Sequence, residues 1–151
     1  MRVPELLSET QVPFETLVHP PAFSAPRLAR VLHISGRQVV KSVLLHGPRG
    51  YMVAVLPCDR HLDLDKIASH VGGSVRLASP AEMAEVFQDC EWGVVPSFGA
   101  MYGLPVLLEE TLGADELLVF EGQSSFLAIR MRCGDFERLE RACRLSLIAA
   151  C

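Results

Sequence analysis

The stretch "VVKSVLLHGPRGYMVAVLP", residues 39–57, consists of two apolar runs around a short "HGPRG" connection. Each run has strand length and is rich in Val and Leu, and the Gly/Pro turn between them predicts a β-hairpin. Runs that are apolar almost without interruption belong to strands covered on both faces, so helices are expected on either side of a sheet. Working outward, residues 3–10 read as a short helix and "FETLVH" (14–19) as a strand. "SAPRLARVLH" (24–33) reads as a helix with Ser24 as N-cap and Pro26 in its first turn. "DLDKIASHVGG" (63–73) is a helix stopped by glycine, and "VRLA" (75–78) a short strand. "SPAEMAEVF" (79–87) carries Ser79 three residues before Glu82, the spacing of a capping box. "PVLLEE", "LLVFEG" and "FLAIRM" supply further strands, and "GDFERLERAC" (134–143) closes as a helix. The expectation is a single compact α/β domain over 1–151, with a central mixed, mostly antiparallel, barrel-like sheet and helices packed around it.

Composition narrows the function. The chain has 151 residues, half of them hydrophobic and 21% charged, which suits one folded domain. No apolar run is long enough to span a bilayer, and Glu5 and Glu9 stand where a secretory signal would be apolar. Cys151 is the last residue, which leaves no prenylation box. A cytoplasmic protein without membrane partners is expected. Five cysteines at 58, 90, 133, 143 and 151 form no C-x-x-C, and five histidines form no H-E-x-x-H, so neither a disulfide framework nor a metal site is expected. A net charge of −4 argues against a protein that grips DNA or other long nucleic acid. It leaves room for a small basic patch from Arg27, Arg30, Arg37 and Lys41, which also reads as an ordinary solvated face.

Two features carry possible chemistry. Lys41 is one of only two lysines and sits in an apolar strand. Either it snorkels to water along its stem, or it offers a compact ammonium to oxygen atoms at a pocket mouth. The second feature is "DCEWGVVPSFG" (89–99), a connection holding two glycines, a proline and the one Trp. Such a loop presents backbone groups to a ligand, or it is a tight turn with Trp92 and Phe98 in the core. Cys90 beside a histidine would make a nucleophile pair, but a buried structural thiol explains it more simply. The Asp63/Asp65 and Glu109/Glu110 clusters read as helix capping and solvated turns. No P-loop, G-x-G-x-x-G or G-x-S-x-G occurs.

In order and spacing, "VVKSVLL", "YMVAVLPCD", "VRLASPAEM", "VFQDCEWGVVPSFGAMYGLPVLLEE" and "LLVFEGQSSFLAIRM" resemble the YbaK-type aminoacyl-tRNA deacylases. That family includes the editing domain of bacterial prolyl-tRNA synthetases. The resemblance runs from about His19 to Arg141. It implies a trans-editing hydrolase that cleaves the ester of a mischarged aminoacyl-tRNA, of the tRNA(Pro) type, without metal or organic cofactor. Lys41 matches the family's lysine, which positions the aminoacyl-adenosine end. The loop Gly93, Val94, Val95, Pro96, Ser97, Phe98 and Gly99 matches the pocket-lining segment. Ser42, Gly122 and Ser124 join the implied substrate-binding set, and Arg27, Arg30 and Arg37 the tRNA contacts. The implied partners are the acceptor end of an aminoacyl-tRNA and an aminoacyl-tRNA synthetase.

Two departures accompany the match. The proline of a G-x-x-x-P pattern is replaced by Ser97, with Pro96 one place earlier. Ser124 and Ser125 stand in a segment where several members have a histidine. A catalytically silent module of the same fold, binding tRNA or a synthetase, is the alternative that these departures keep open.

Overall fold

The computed structural model describes residues 1–150; Cys151, read above as closing the sequence, lies outside them. The hairpin forms as expected, with β2 (Val40–Gly47) antiparallel to β3 (Gly50–Pro57) and a two-residue turn at Pro48 and Arg49. The other elements are α1 (Val3–Ser8), β1 (Glu15–Val18), α2 (Ala25–Val31), α3 (Leu64–Val71), β4 (Arg76–Leu77) and α4 (Pro80–Val86). A 3-10 turn (Gly99–Tyr102), β5 (Val106–Glu109), β6 (Leu117–Ser124), β7 (Leu127–Arg132), α5 (Cys133–Glu140) and β8 (Cys143–Leu145) follow. The capping signals hold at atomic level. Ser24 Oγ accepts from Arg27 N, Asp63 Oδ1 from Lys66 N, and Ser79 and Glu82 close a reciprocal capping box.

The strands form two sheets, ordered β1-β7-β6 and β4-β2-β3-β5-β8. Pairing is mixed and mostly antiparallel, with β3–β5 and β5–β8 parallel. The barrel-like closure expected from sequence does not occur. Val39, just ahead of β2, forms only an isolated bridge with Val119 of β6, and β4 is only two residues long, so no continuous ladder joins the sheets among the described residues. A second correction concerns the end of the chain. The last helix stops at Glu140, because Arg141 turns left-handed (φ 49°) and sends Cys143–Leu145 alongside β5 as a strand.

Strand alternation sorts the apolar residues to opposite faces. Val53 and Val55 of β3 point between the sheets, toward Phe120 and Ile129, while Met52 and Ala54 point outward, under Ile67 of α3. On the other side, Leu28 and Ala29 of α2 cover Val119 and Ala128. The inner strands of both sheets are therefore buried on two faces and read as continuous apolar runs, while β1 and β4 at the edges stay largely exposed. Between them Phe120 stacks on Phe136 at 4.2 Å, and Phe98 meets Phe136 edge-on at 5.3 Å. This cluster ties the glycine-rich loop to β6 and α5.

Glu109, expected in a solvated turn, is fully buried. Its Oε2 accepts the Thr111 N–H at 2.7 Å and its Oε1 the Leu147 N–H at 2.8 Å. Burial pushes this carboxyl up, but the Leu147 and Thr111 N–H groups outweigh it and leave it below the ordinary carboxylate range. The stabilisation is thus present above the unfolded-state value and is lost as pH falls through the folded-state one. Glu109→Gln turns an amide NH2 toward donors, and we expect it to destabilise by about 2 kcal/mol, or about 4–8 °C in melting temperature. Thermal melts at neutral and acidic pH check this: the gap between parent and variant should narrow in acid.

Candidate active site

The site grows from an unfinished strand edge. β2 is paired with β3 along its length, but its other edge meets β4 only at Leu45 and His46. Between that contact and the Val39–Val119 bridge, the Ser42 N–H has no strand partner. A side chain of β6 supplies one: Ser42 N donates to Glu121 Oε1 at 3.3 Å. Ser42 Oγ lies 2.7 Å from Ser97 Oγ, which also accepts the Glu121 N–H at 3.1 Å. Ser97 N donates back to the Glu121 carbonyl at 3.0 Å. Strand β2, the loop and β6 thus meet at one buried node.

A groove with two lobes opens beside it. The larger, about 320 Å³, is lined by Lys41, Ser42, Val43, Leu77, Met83 and Val95 among others. The smaller, about 30 Å³, is lined by His19, Leu28, Val94, Ser124 and Leu127 among others. Phe23, Ser24, Ala25, Gly93 and Glu121 form the wall common to both. Phe23 and Leu77 stand exposed at the rim.

Lys41 alternates with Ser42, so it leaves the inter-sheet core and enters the groove beside Val43. It makes no ion pair among the described residues. Among the described residues, Glu121 is the only carboxylate lining either lobe. Burial pushes its carboxyl up to about 8, with the Ser42 N–H opposing. His19 is buried in the smaller lobe, and its Nδ1 lies 2.8 Å from the Pro20 carbonyl. A carbonyl only accepts, so Nδ1 is the donor in this contact.

The glycine-rich loop divides between groove and core. Gly93, Val94 and Val95 line the groove. Ser97 is fully buried at the node, while Phe98 and Gly99 are buried in the core beside Val53 and Val106. Pro96 is buried and lines neither lobe; Gly122 lines a separate hollow near α1. Trp92 is 71% exposed, so of the two aromatics only Phe98 is tucked into the core. The loop is held along its length: Glu91 accepts from Ser125 N at 2.7 Å, and Glu140 from Ala100 N at 2.9 Å. Neither the Gly93 nor the Val95 N–H has a protein acceptor among the described residues, which leaves both for ligand oxygen or water.

Arg27 and Arg30 are exposed on α2, next to the Ser24–Pro26 wall. Arg37 is engaged elsewhere, donating to Glu116 and to the Thr111 carbonyl, both at 3.3 Å. Cys90 is not poised as a nucleophile, because burial pushes its thiol up to about 11. Among the described residues no cluster of His, Cys, Asp and Glu could hold a metal ion. No helix among them is long and apolar enough to cross a membrane.

Sequence reasoning missed Glu121 and His19. The signal for Glu121 was present: an acid inside "LLVFEG" raises the same question as the lysine inside "VVKSVLL".

Known proteins resemble this arrangement. A family model described as the aminoacyl-tRNA editing domain matches residues 19–139. A proline–tRNA ligase of Pseudothermotoga lettingae is 35% identical over 81 residues, which is 53% of this chain and 14% of the ligase. The multifunctional Ser/Thr-tRNA deacylase ProXp-y of Escherichia coli K12 is 30% identical over 102 residues. That match spans 64% of this chain and 60% of the deacylase, so the chain covers less than two thirds of either relative. A crystal structure described as a candidate trans-editing enzyme for prolyl tRNA synthetase superposes with a TM-score of 0.80 at 26% identity, covering 91% of this chain and 87% of that one. The hypothetical protein APE2540, at 18% identity and a TM-score of 0.88 over 97% of this chain and 99% of its own, shares the fold.

The two loop glycines are needed for different reasons, and this can be measured. Gly93 has φ 86° with open space where a Cβ would stand, so Gly93→Ala meets only the backbone cost of about 1–2 kcal/mol. That corresponds to a melting temperature lower by about 2–8 °C. Gly93→Asn, which tolerates left-handed angles, should recover most of it. At Gly99 a Cβ would lie 3.1 Å from Cγ2 of both Val53 and Val106. Gly99→Asn should therefore melt lower than Gly99→Ala, the reverse of the order at Gly93.

Proposed function

The chain belongs to the aminoacyl-tRNA editing domain family, and we propose that it hydrolyses the ester of mischarged aminoacyl-tRNA in trans, with tRNA(Pro) carrying a small wrong amino acid as the substrate. The observation that carries this reading is Lys41, an unpaired ammonium in a groove that also holds free backbone donors. An aminoacyl ester is already labile, so orientation of water and stabilisation of one developing oxyanion suffice.

In this reading Lys41 binds oxygen at the aminoacyl-adenosine end as a point charge. The Gly93 and Val95 N–H groups face the carbonyl oxygen or the attacking water. Water oxygen adds to the carbonyl carbon, the bond to the ribose oxygen breaks, and that oxygen leaves with a proton. The smaller lobe, about 30 Å³, suits a side chain of a few heavy atoms such as Ala, Ser, Cys or Thr. Arg27 and Arg30 flank the entrance on the side where acceptor-stem phosphates would pass, and Arg37 keeps one guanidinium edge on Glu116. A synthetase that releases the mischarged tRNA is the matching protein partner, and the cytoplasm the matching compartment. Residues 1–151 act as one editing unit that draws on its own side chains and backbone, with no cofactor.

The silent-module alternative rested on Ser97 and on the missing histidine. Ser97 is buried and spends its hydrogen bonds on Ser42 and Glu121, so its side chain braces the groove from behind. His19 places an imidazole in the smaller lobe from a different part of the chain.

The test is release of amino acid from Ala-, Ser-, Cys- and Thr-charged tRNA(Pro), in single turnover, beside melting temperature. Lys41→Ala should fold normally yet lose roughly ten- to a thousandfold in rate, the worth of one or two charge-assisted hydrogen bonds. Lys41→Arg should also be slow, because a planar fork does not replace a compact ammonium. Unchanged kinetics in Lys41→Ala would remove the lysine from the mechanism, and no release by the parent from any ester would favour the silent module.

A further inference from the structure

Glu121 remains without a function in that chemistry, although it stands in the wall common to both lobes. Its Oε1 takes one N–H, from Ser42 at 3.3 Å, and no Lys or Arg side chain pairs with it among the described residues. The nearest structural purpose, closing the edge of β2, needs an acceptor but no charge. An amide oxygen at this position would serve β2 equally well. A carboxylate is needed only if something cationic comes to it.

We propose that Glu121 is the receptor for the free α-ammonium group of the aminoacyl ester, so that the groove accepts unblocked aminoacyl-tRNA and rejects N-acylated or peptidyl esters. The proposal rests on the deacylase reading and deepens it. The geometry matches the charge order of the substrate. Along such an ester run an anionic phosphate-ribose end, the ester carbonyl, and a Cα bearing both the ammonium and the side chain. Along the groove run Lys41 in the larger lobe, Glu121 at the junction, and the small lobe beyond it. Seating the ammonium on Glu121 puts the side chain into the small lobe and the carbonyl beside Gly93. An acyl group on the nitrogen would remove the positive charge and press bulk against the Phe23–Ala25 wall. A carboxyl that burial holds at about 8 is also one that a neighbouring cation would stabilise in its charged form.

The experiment compares Ser-tRNA(Pro) with the same tRNA after chemical N-acetylation, using the full chain. The parent should release serine from the free-amine ester at least roughly thirtyfold faster than from the acetylated one, in keeping with loss of a charge-assisted contact and added bulk. Glu121→Gln keeps an acceptor for Ser42 N–H and should lose about ten- to a hundredfold in kcat/KM on the free-amine ester. Its preference for free amine should collapse to within about threefold. A purely structural role would slow both esters alike and leave the preference intact, which overturns the proposal. A parent that hydrolyses both esters equally overturns it too, even if the variant fails to fold, while leaving the deacylase reading in place. A parent that hydrolyses neither overturns both together.

Discussion

The groove of this molecule depends on how the unpaired edge of β2 is satisfied. A strand inside a sheet has its N–H groups met by neighbours, and a buried N–H without a partner costs about 1–3 kcal/mol. At Ser42 the neighbouring strand is missing, and the gap is closed by a side chain of β6. That substitution of side chain for strand keeps the gap from collapsing into a continuous sheet. The groove is the space left over. The Ser42–Ser97 contact and the Ser97–Glu121 exchange then lock the loop to the same point, so its geometry is set by hydrogen bonds and needs no ligand to form.

The two sheets explain why such a gap can exist in a stable protein. The inner strands of each are covered on both faces, by α2 or α3 outside and by the common aromatic cluster inside. Phe98, Phe120 and Phe136 bring the loop, β6 and α5 into one packed unit just behind the node. Apolar packing therefore carries the stability, and the few buried polar groups position. Glu109, Glu140 and Glu121 are all buried or groove-lining acids that accept backbone N–H groups from segments without a strand neighbour. The same device recurs at the C-terminal segment, at the end of the loop and at the groove.

How much of this was legible in the sequence follows from what each signal depends on. The hairpin, the caps at Ser24, Asp63 and Ser79, and the apolar strands are set by local periodicity and turn chemistry, and they appear where expected. The strand at Cys143–Leu145 was not legible, because "CRL" has no period of its own and is fixed by pairing with β5. Nor was the absence of barrel closure, which turns on a single bridge between residues 80 apart in sequence (119 minus 39). At the site, Lys41 and Gly93 were found because an odd residue in a regular pattern draws attention. Glu121 carried the same oddity but stood beside Gly122, where the apolar run stops and an acid is ordinary, although the strand continues to Ser124. His19 gave no pattern at all, since only the fold brings it to Ser124 and Ser125. The long loop read as one pocket-lining segment, whereas alternation and packing send Gly93–Val95 to the groove and Phe98–Gly99 to the core.

The hollow near α1 that Gly122 lines is closed on one side by a lock between β6 and the first residues. Glu121 is followed two residues later on β6 by Gln123, whose buried amide accepts the Val3 N–H at 3.0 Å and donates to the Met1 carbonyl at 3.1 Å. The same Nε2 lies 3.1 Å from Asp89 Oδ2, at the entry to the glycine-rich loop. The first residues are therefore clamped between the strand and the loop that together shape the groove. A change at Gln123 or Val3, outside the groove, would therefore loosen the strand and the loop together and reach the groove's shape without touching anything bound in it.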